Sequence, residues 1–393
     1  MPDSRDEDTG TARASAGSAA PLPSLDLLRQ LTDSHVLDQL LANDELTRSE
    51  IAARSGISKP TISESVRRLV AAGLLAESGR QVGRPGRAGT YYRLRDDAGV
   101  ALALSAGPDG MVLETCDLRG AVLTRQQHDV PSPAVAAVLG PILTDTVTAA
   151  LQSAPGPVRA WALSLAGPVD QRSGRLVHLP DSPFLVDELD PRALVGDLVT
   201  APLRVDNDVN WAALAEHHTG SAQDFRHFFY CYLGPGIGGA LVSDGAVLHG
   251  AQGLAGELAH VRTSGPGGRA MRLVECFAAW QLLQPGTSAI DVDRLCDLLE
   301  RPAASARRTR DEIATAVAGA LATVTALLNP EGVVVGGPWA GVDGFDQLVA
   351  DRLTSDAVVP AAVRPAALGP DAPLLGARGH AVREAQRLLV RQA

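Results

Sequence analysis

An amide flanked by two carboxylates, Asp206-Asn207-Asp208, follows the apolar run Leu203–Val205 and precedes a helix-like apolar pattern. Polar groups at a strand end can cap a helix, hold a metal, or grip a small ligand and take a proton from it. Two further sets of polar residues lie among apolar ones. Glu257 and His260, in GLAGELAH (253–260), are three apart and would share one face of a helix. Glu275 stands inside RLVECFAAW (272–280), an apolar helix start. A buried carboxylate needs a partner, and ligand hydroxyls supply one. Each residue alone has a plainer explanation. Asp208 can be a helix N-cap, Glu275 can pair with an Arg, and His260 can be a satisfied core histidine.

The elements around them read as an α/β chain. ALALSAG (101–107), MVLETCDL (111–118) and AVLTRQQHDV (121–130) are three strands separated by Gly turns. A helix follows at about 133–152. Strands are then expected at VRAWALSLAG (158–167), PLRVDN (202–207), FFYCYLG (228–234) and GGALVSDG (238–245). Helices are expected at 268–285, 308–328 and 373–391, with the strand GVVVGG (332–337) between the last two. Strands alternating with helices give a sheet partly covered by helices. No short-period repeat is visible, although two similar α/β lobes would escape inspection of one sequence.

At 393 residues the chain is too long for one ordinary core. Residues 1–22, rich in Ser, Ala, Gly, Pro and Asp, read as a disordered arm. Residues 23–95 and 99–393 read as two domains meeting at Asp96-Asp97-Ala98-Gly99. No run of about 18 apolar residues is present, so no membrane helix is expected. The start, MPDSRDEDTG, is unlike a secretory signal. Cys116, Cys231, Cys276 and Cys296 lack CxxC spacing and fit buried thiols in a reducing cytoplasm.

The net charge of −10 excludes a generally basic nucleic-acid binder. The charge is uneven, however. Residues 48–95 hold ten Lys or Arg and three acids, a balance of +7, leaving −17 elsewhere. Within this segment Thr47 and Glu50 have capping-box spacing. A short helix to Arg54 would stop at Gly56, and Ser58 would cap the next, with Pro60 in its first turn. Ile62, Val66, Leu69 and Val70 are expected to form its buried stripe. Leu25, Leu28, Leu31, Val36, Leu37, Leu40 and Leu41 give a preceding helix over 24–42. Two short helices joined by a tight Gly-containing turn make a helix-turn-helix, whose second helix enters the major groove. Two β-like pieces then flank GRQVGRPGR, as in a winged helix. Lys59, Thr61, Ser63 and Arg67 are the expected base or phosphate contacts. Arg80, Arg84 and Arg87 on the wing would meet phosphates or a narrow minor groove. Glu64 either reads a cytosine amine or has no part in recognition.

Taken together, these features resemble the ROK family, named for repressors, open reading frames and sugar kinases. Within it they resemble regulators of the xylose and N-acetylglucosamine repressor type. The resemblance runs over residues 24–391. It rests on the winged helix, Asn207-Asp208-Val209-Asn210, LGPGIGGALVSDG (233–245), GLAGELAH, NPEGVVVGG (329–337) and GAR (376–378). It implies a two-lobed, actin-like (ribonuclease H-like) sugar-kinase domain with its ligand between the lobes. Asn207, Asp208, Glu257, His260 and Glu275 would then form a sugar site. Asp208 occupies the position of a kinase's catalytic base. The strand end of the first paragraph thus looks like one wall of a sugar pocket.

The chain departs from kinase members at the phosphates. Their DxGGT is here Ser105-Ala106-Gly107-Pro108-Asp109, a register supported by Asp117 ten residues beyond Gly107. Ser105 has no charge for Mg²⁺, Pro108 lacks an amide donor, and Asp109 repels phosphate. Pro235 replaces the usual Thr of the second phosphate loop. The resemblance also implies a CxCGxxGC zinc motif before Glu275. Pro266, Gly268 and Leu273 stand at its cysteine positions, leaving only His260 of four ligands. The expectation is a cytoplasmic, DNA-binding regulator, most simply a repressor, with neither zinc nor ATP as cofactor. It would bind operator DNA and a sugar or sugar derivative, as a homodimer or homotetramer. An active sugar kinase with a DNA-binding arm and a regulator without a small effector are the alternatives.

Overall fold

The computed structural model describes residues 25–80, 89–179, 182–185, 187–356 and 361–392. The expected arm at 1–22 lies outside these residues, as do Arg84, Arg87 and the side chain of Arg80.

The first unit comprises α1 (Leu25–Leu41), β1 (Leu46–Thr47), α2 (Arg48–Ser55), α3 (Lys59–Ala71), β2 (Leu75–Arg80) and β3 (Thr90–Leu94). Local chemistry sets these boundaries. The Thr47 hydroxyl accepts from the Glu50 amide at 3.3 Å, and the Glu50 carboxylate accepts from the Thr47 amide at 2.8 Å. Such a cap stabilises a helix by about 1 kcal/mol. Gly56, at φ 71°, ends α2 in the left-handed region where a Cβ is strained. Ser58 caps α3 through the Thr61 amide. Ile62, Val66 and Leu69 are buried, but Val70 is 38% exposed, which corrects the expected stripe. Ser65 takes the buried place instead, because the stripe begun at Ile62 passes through 65, 66 and 69. Ser65 and Arg68 both donate to Asp33 of α1, Arg68 at 2.6 Å and 3.2 Å. The sheet order β1-β3-β2 completes a winged helix-turn-helix.

A first lobe follows: β4 (Val100–Gly107), β5 (Gly110–Asp117), β6 (Val122–His128), α4 (Ala136–Ser153), β7 (Val158–Leu165), α5 (Pro191–Val195), β8 (Leu203–Asn207) and α6 (Asp208–Thr219). Its sheet has the order β6-β5-β4-β7-β8. β4 pairs antiparallel with β5 and parallel with β7. Alternation along β4 and β7 divides their side chains between two cores. Leu102, Leu104, Trp161 and Leu163 pack toward α4. Ala101, Ala103, Ala160 and Ala162 leave room on the other face for a helix described below.

The second lobe contains β9 (His227–Leu233), β10 (Ile237–Ser243), β11 (Ala246–Val247), β12 (Arg262–Ser264), β13 (Ala270–Arg272), α7 (Leu273–Ala279), α8 (Val292–Glu300), α9 (Ala304–Leu328), β14 (Gly332–Gly336), α10 (Phe345–Asp356), β15 (Ala362–Pro365) and α11 (Ala372–Gln392). Its main sheet, β11-β10-β9-β14-β15, repeats the first lobe's order and directions. The expected helix at 268–285 is corrected to a β12–β13 hairpin and the seven-residue α7. Pro266 and the left-handed Gly267 and Gly268 keep that stretch from being helical. One helix bears on the membrane expectation. By length and composition α9 could span a membrane. Here Ile313, Val317 and Leu321 of α9 lie in the second lobe's core.

The terminal helices cross between lobes. α6 follows the first lobe, yet its Val209, Ala212 and Ala213 pack with β9 and β10 of the second. α11 follows the second lobe, yet packs on β4 and β7 of the first. The two helices touch where a Cβ on Gly376 would lie 2.0 Å from the Trp211 carbonyl oxygen. Arg378, two residues on, donates to the buried Glu114 at 3.1 Å. These contacts explain the GAR at 376–378. Leu389 and Ala385 of α11 share a core cluster with Leu37 and Leu40 of α1, joining the winged helix to the lobes.

Candidate functional site

β8 delivers Asp206-Asn207 to the cleft between the lobes, where α6 begins. Asn207 takes the capping role, accepting from the Val209 amide at 2.9 Å and the Asn210 amide at 3.4 Å. Asp208 is therefore not the cap, and it lines the cleft. Burial lifts its carboxyl to about 7, against the opposing pull of the Val209 amide.

Asp206 points elsewhere and is 2% exposed. It accepts from His249 Nε2 at 2.7 Å, Asn210 Nδ2 at 2.8 Å, the Asn207 amide at 2.9 Å, Arg204 at 3.2 Å and Gln171 at 3.3 Å. Burial alone would raise its pKa, but the His249, Asn210 and Arg204 interactions outweigh burial and hold it below the usual carboxylate range. The partner of Asp206, His249, opens the segment that carries Glu257 and His260. This segment straps the two lobes. A Cβ on Gly253 would lie 1.9 Å from the Val169 carbonyl oxygen of the first lobe. One on Gly256 would lie 1.9 Å from the Gly239 carbonyl oxygen of the second. Both glycines have positive φ, at 76° and 95°, so two requirements fix them. Glu257 then starts a single 3-10 turn, Leu258–His260.

The structure brings Asn207, Asp208, Glu257 and His260 to one cavity, with Asn210 and Tyr232. Glu275 does not line it, which corrects the expected ligand set. Its carboxylate accepts from the Arg272 amide and Nε at 2.9 Å, so it caps α7 at the surface. Pro108 and Pro235 line the cavity, whereas Ser105 does not. Pro108-Asp109 forms the two-residue turn between the paired Gly107 and Gly110. Ser105 pairs with Ser164 in the sheet register, and the buried Ser164 hydroxyl has no hydrogen-bond partner among the described residues. Asp109 is exposed, but its charge acts on Tyr232, whose phenol burial pushes above its ordinary range.

The segment at the family's zinc-motif position is the β12–β13 hairpin. Thr263 Oγ1 donates to the Ala316 carbonyl of α9 at 2.7 Å. A Cβ on Gly265 would fall 2.5 Å from Met271 Sδ and 3.0 Å from Cys276 Sγ. Burial raises the Cys276 thiol to about 11. Among the described residues no group of three or more His, Cys, Asp or Glu is placed to hold a metal. A separate surface groove, lined by Ser264, Gly265, Gly268, Arg307, Arg308, Asp311 and Glu312, contains none of the expected sugar- or DNA-binding residues.

On α3, Lys59, Thr61 and Arg67 are exposed and Ser63 is half-buried. Arg67 pairs with Glu64 one turn earlier, which gives Glu64 a local partner. Thr61 Oγ1 lies 2.7 Å from Ser58 Oγ. Sequence reasoning missed His249, Gln171 and Tyr232. No motif marks the first two, whereas Tyr232 stands just before LGPGIGG and could have been found there.

Comparison with known proteins places this geometry among related folds. The ROK family model matches residues 101–383, and a MarR family model matches residues 25–85. A xylose repressor from Bacillus spizizenii is 22% identical over 237 residues, which cover 60% of this chain and 61% of the repressor. The chain thus spans about three fifths of such a relative's length. The crystal structure of a ROK family transcriptional regulator, homologous to the Escherichia coli MLC protein, superposes with a TM-score of 0.67 at 19% identity, covering 93% of this chain and 98% of the other. A ROK hexokinase from Thermus thermophilus gives 0.59 at 26%, covering 73% and 99%.

Proposed function

This chain belongs to the ROK family, and we propose from that premise that it is a cytoplasmic, sugar-sensing, DNA-binding transcriptional repressor of carbohydrate genes. The observation carrying this reading is the coexistence in one chain of two features. One is a helix-turn-helix with Lys59, Thr61, Ser63 and Arg67 along its second helix. The other is a cleft lined by Asn207, Asp208, Glu257 and His260. The xylose repressor and the MLC-like regulator named above support it. The protein would act as a homodimer or homotetramer on repeated half-sites.

In this reading sugar hydroxyls bridge Asp208 and Asn207 of the first lobe to Glu257 and His260 on the strap. A ligand that bridges both lobes favours one degree of closure. α6 and α11 cross between the lobes, and α11 packs on α1, so closure and winged-helix position share one core. Ligand switches DNA binding only through unequal affinity for the two arrangements. The test is binding of the full chain to DNA flanking its own gene. Affinity must fall steeply from low to physiological salt, because phosphate contacts release counterions. Binding that ignores salt excludes the assigned α3 contacts.

A second reading, an active sugar kinase, draws on Asp208. A carboxyl near 7 in the cleft suits a general base. Pro108, Pro235 and Asp109 weigh against it, since two amides are missing and a negative charge is added where phosphates would rest. We therefore assign neither ATP nor zinc as a cofactor. The Ser105→Asp, Pro108→Gly, Asp109→Thr variant should gain ATP turnover over a silent wild type. Robust wild-type turnover would establish the kinase.

A further inference from the structure

We infer that the effector is an unphosphorylated sugar carrying an apolar substituent, with the sugar ring at Asp208 and Glu257 and the substituent against Pro108, Tyr232, Pro235 and Ile237. The inference rests on the sugar-sensing reading and concerns the same cleft.

Three observations converge on it. First, the described lining residues include Asp208 and Glu257 but no Lys or Arg. Arg272 comes within 3.5 Å of His260 Nδ1, but its guanidinium is already held by Glu275 at 2.8 Å. A phosphate would enter beside carboxylates with no lysine or arginine among the described lining residues to meet it, and buried charge needs such a partner. Second, backbone cradles for phosphate depend on free amides, and Pro108 and Pro235 remove one from each lobe's turn. Gly236 retains its amide, and Pro183 packs beside its Cα: a Cβ there would lie 3.1 Å from Pro183 Cγ. Third, what replaces the cradle is apolar and aromatic. Ile237 is 7% exposed at the cavity wall, and Tyr232 also lines it, with its phenol's pKa raised by burial. Rings of this kind accept the apolar faces of sugars and aryl groups alike. Polar and apolar groups thus line one cleft, with Asp208 near enough to Tyr232 for its charge to act on the phenol.

The test is calorimetric titration of the full chain with three matched sets of probes. These are glucose, xylose and N-acetylglucosamine; their p-nitrophenyl β-glycosides; and glucose 6-phosphate with N-acetylglucosamine 6-phosphate. The expected result is that at least one p-nitrophenyl glycoside binds tenfold or more tighter than its free sugar, and that no phosphate ester binds as well as its parent. Tyr232→Ala should erase the glycoside's advantage and Tyr232→Phe should keep it. Should Tyr232→Ala fail to fold, the wild-type pairs decide alone. A phosphate ester binding as well as its parent overturns the inference and leaves the sensor intact. A glycoside binding no tighter than its sugar does the same. No binding by any probe overturns the inference together with the sensor reading.

Discussion

Asp206 and Asp208, two residues apart at one strand end, ionise in opposite directions. Asp206 is held low by His249, Asn210 and Arg204 against its burial. Asp208, with only the backbone amides of Val209 and of Asp208 itself to oppose burial, is raised to about 7. Carboxyl pairs pushed apart in this way divide structural and ligand-facing roles.

The raised group makes stability depend on pH. The folded pKa of Asp208 exceeds the unfolded value of about 3.9. Between roughly pH 4 and 7 the unfolded chain has released this proton while the folded chain keeps it, so stability falls as pH rises. Asp208→Asn removes the loss. In urea unfolding the variant should gain on wild type from pH 5 to pH 8, by at most about 3 kcal/mol. Parallel curves for the two proteins would show that Asp208 ionises normally. Asp206 acts in a separate window: its contribution is lost only as pH falls below about 4.

His249→Ala should unfasten the strap at 250–260. It leaves the buried Asp206 without its 2.7 Å partner, a loss worth about 2–3 kcal/mol for a hydrogen bond to a charged group. Heating with and without a bound sugar checks this. The variant should melt lower and lose most of the sugar-induced rise. A full rise would mean that the strap is held by its glycines alone.

On α3, Arg67 is engaged by Glu64 in the DNA-free chain. Glu64→Gln should free it and tighten DNA binding severalfold at low salt. Lys59→Ala should weaken binding and flatten the log-affinity against log-salt plot by about one. If Lys59→Ala leaves that slope unchanged, Lys59 does not touch phosphate.

The β12–β13 hairpin is fixed to α9 by Thr263 and packed by Met271 and Cys276. Elemental analysis of the purified protein should find well under one zinc per chain, and EDTA should not shift its melting temperature. One tightly held equivalent would place a metal here after all. Gly319→Val should lower stability, because its Cβ would meet Thr263 Oγ1 at 2.7 Å.

Local signals in the sequence reached the structure best. Thr47, Glu50, Gly56 and Ser58 act within a few residues, and each cap and stop is found where its spacing placed it. Apolar runs marked the central strands, since parallel strands buried on both faces carry few polar residues. Glu275 was misplaced because Arg272, three residues earlier, forms a local pair that competes with a distant site. The helix expected over 268–285 is interrupted because residues 262–272 pair as a hairpin, with Gly267 and Gly268 at positive φ in its turn. α8 was overlooked although Asp291 caps it through the Arg294 amide. Other features had no sequence signal. Asp206 and His249 meet across 43 positions. The equivalence of the two lobes lies in strand order, for which the chain shows no period.

The most direct test of the account is fluorescence anisotropy on DNA flanking the gene, with wild type and Asp208→Asn, across a sugar and glycoside panel. The account predicts that one ligand changes the wild-type Kd for DNA fivefold or more and leaves that of Asp208→Asn unmoved. DNA affinity indifferent to every ligand, or a shift that survives the substitution, would contradict it.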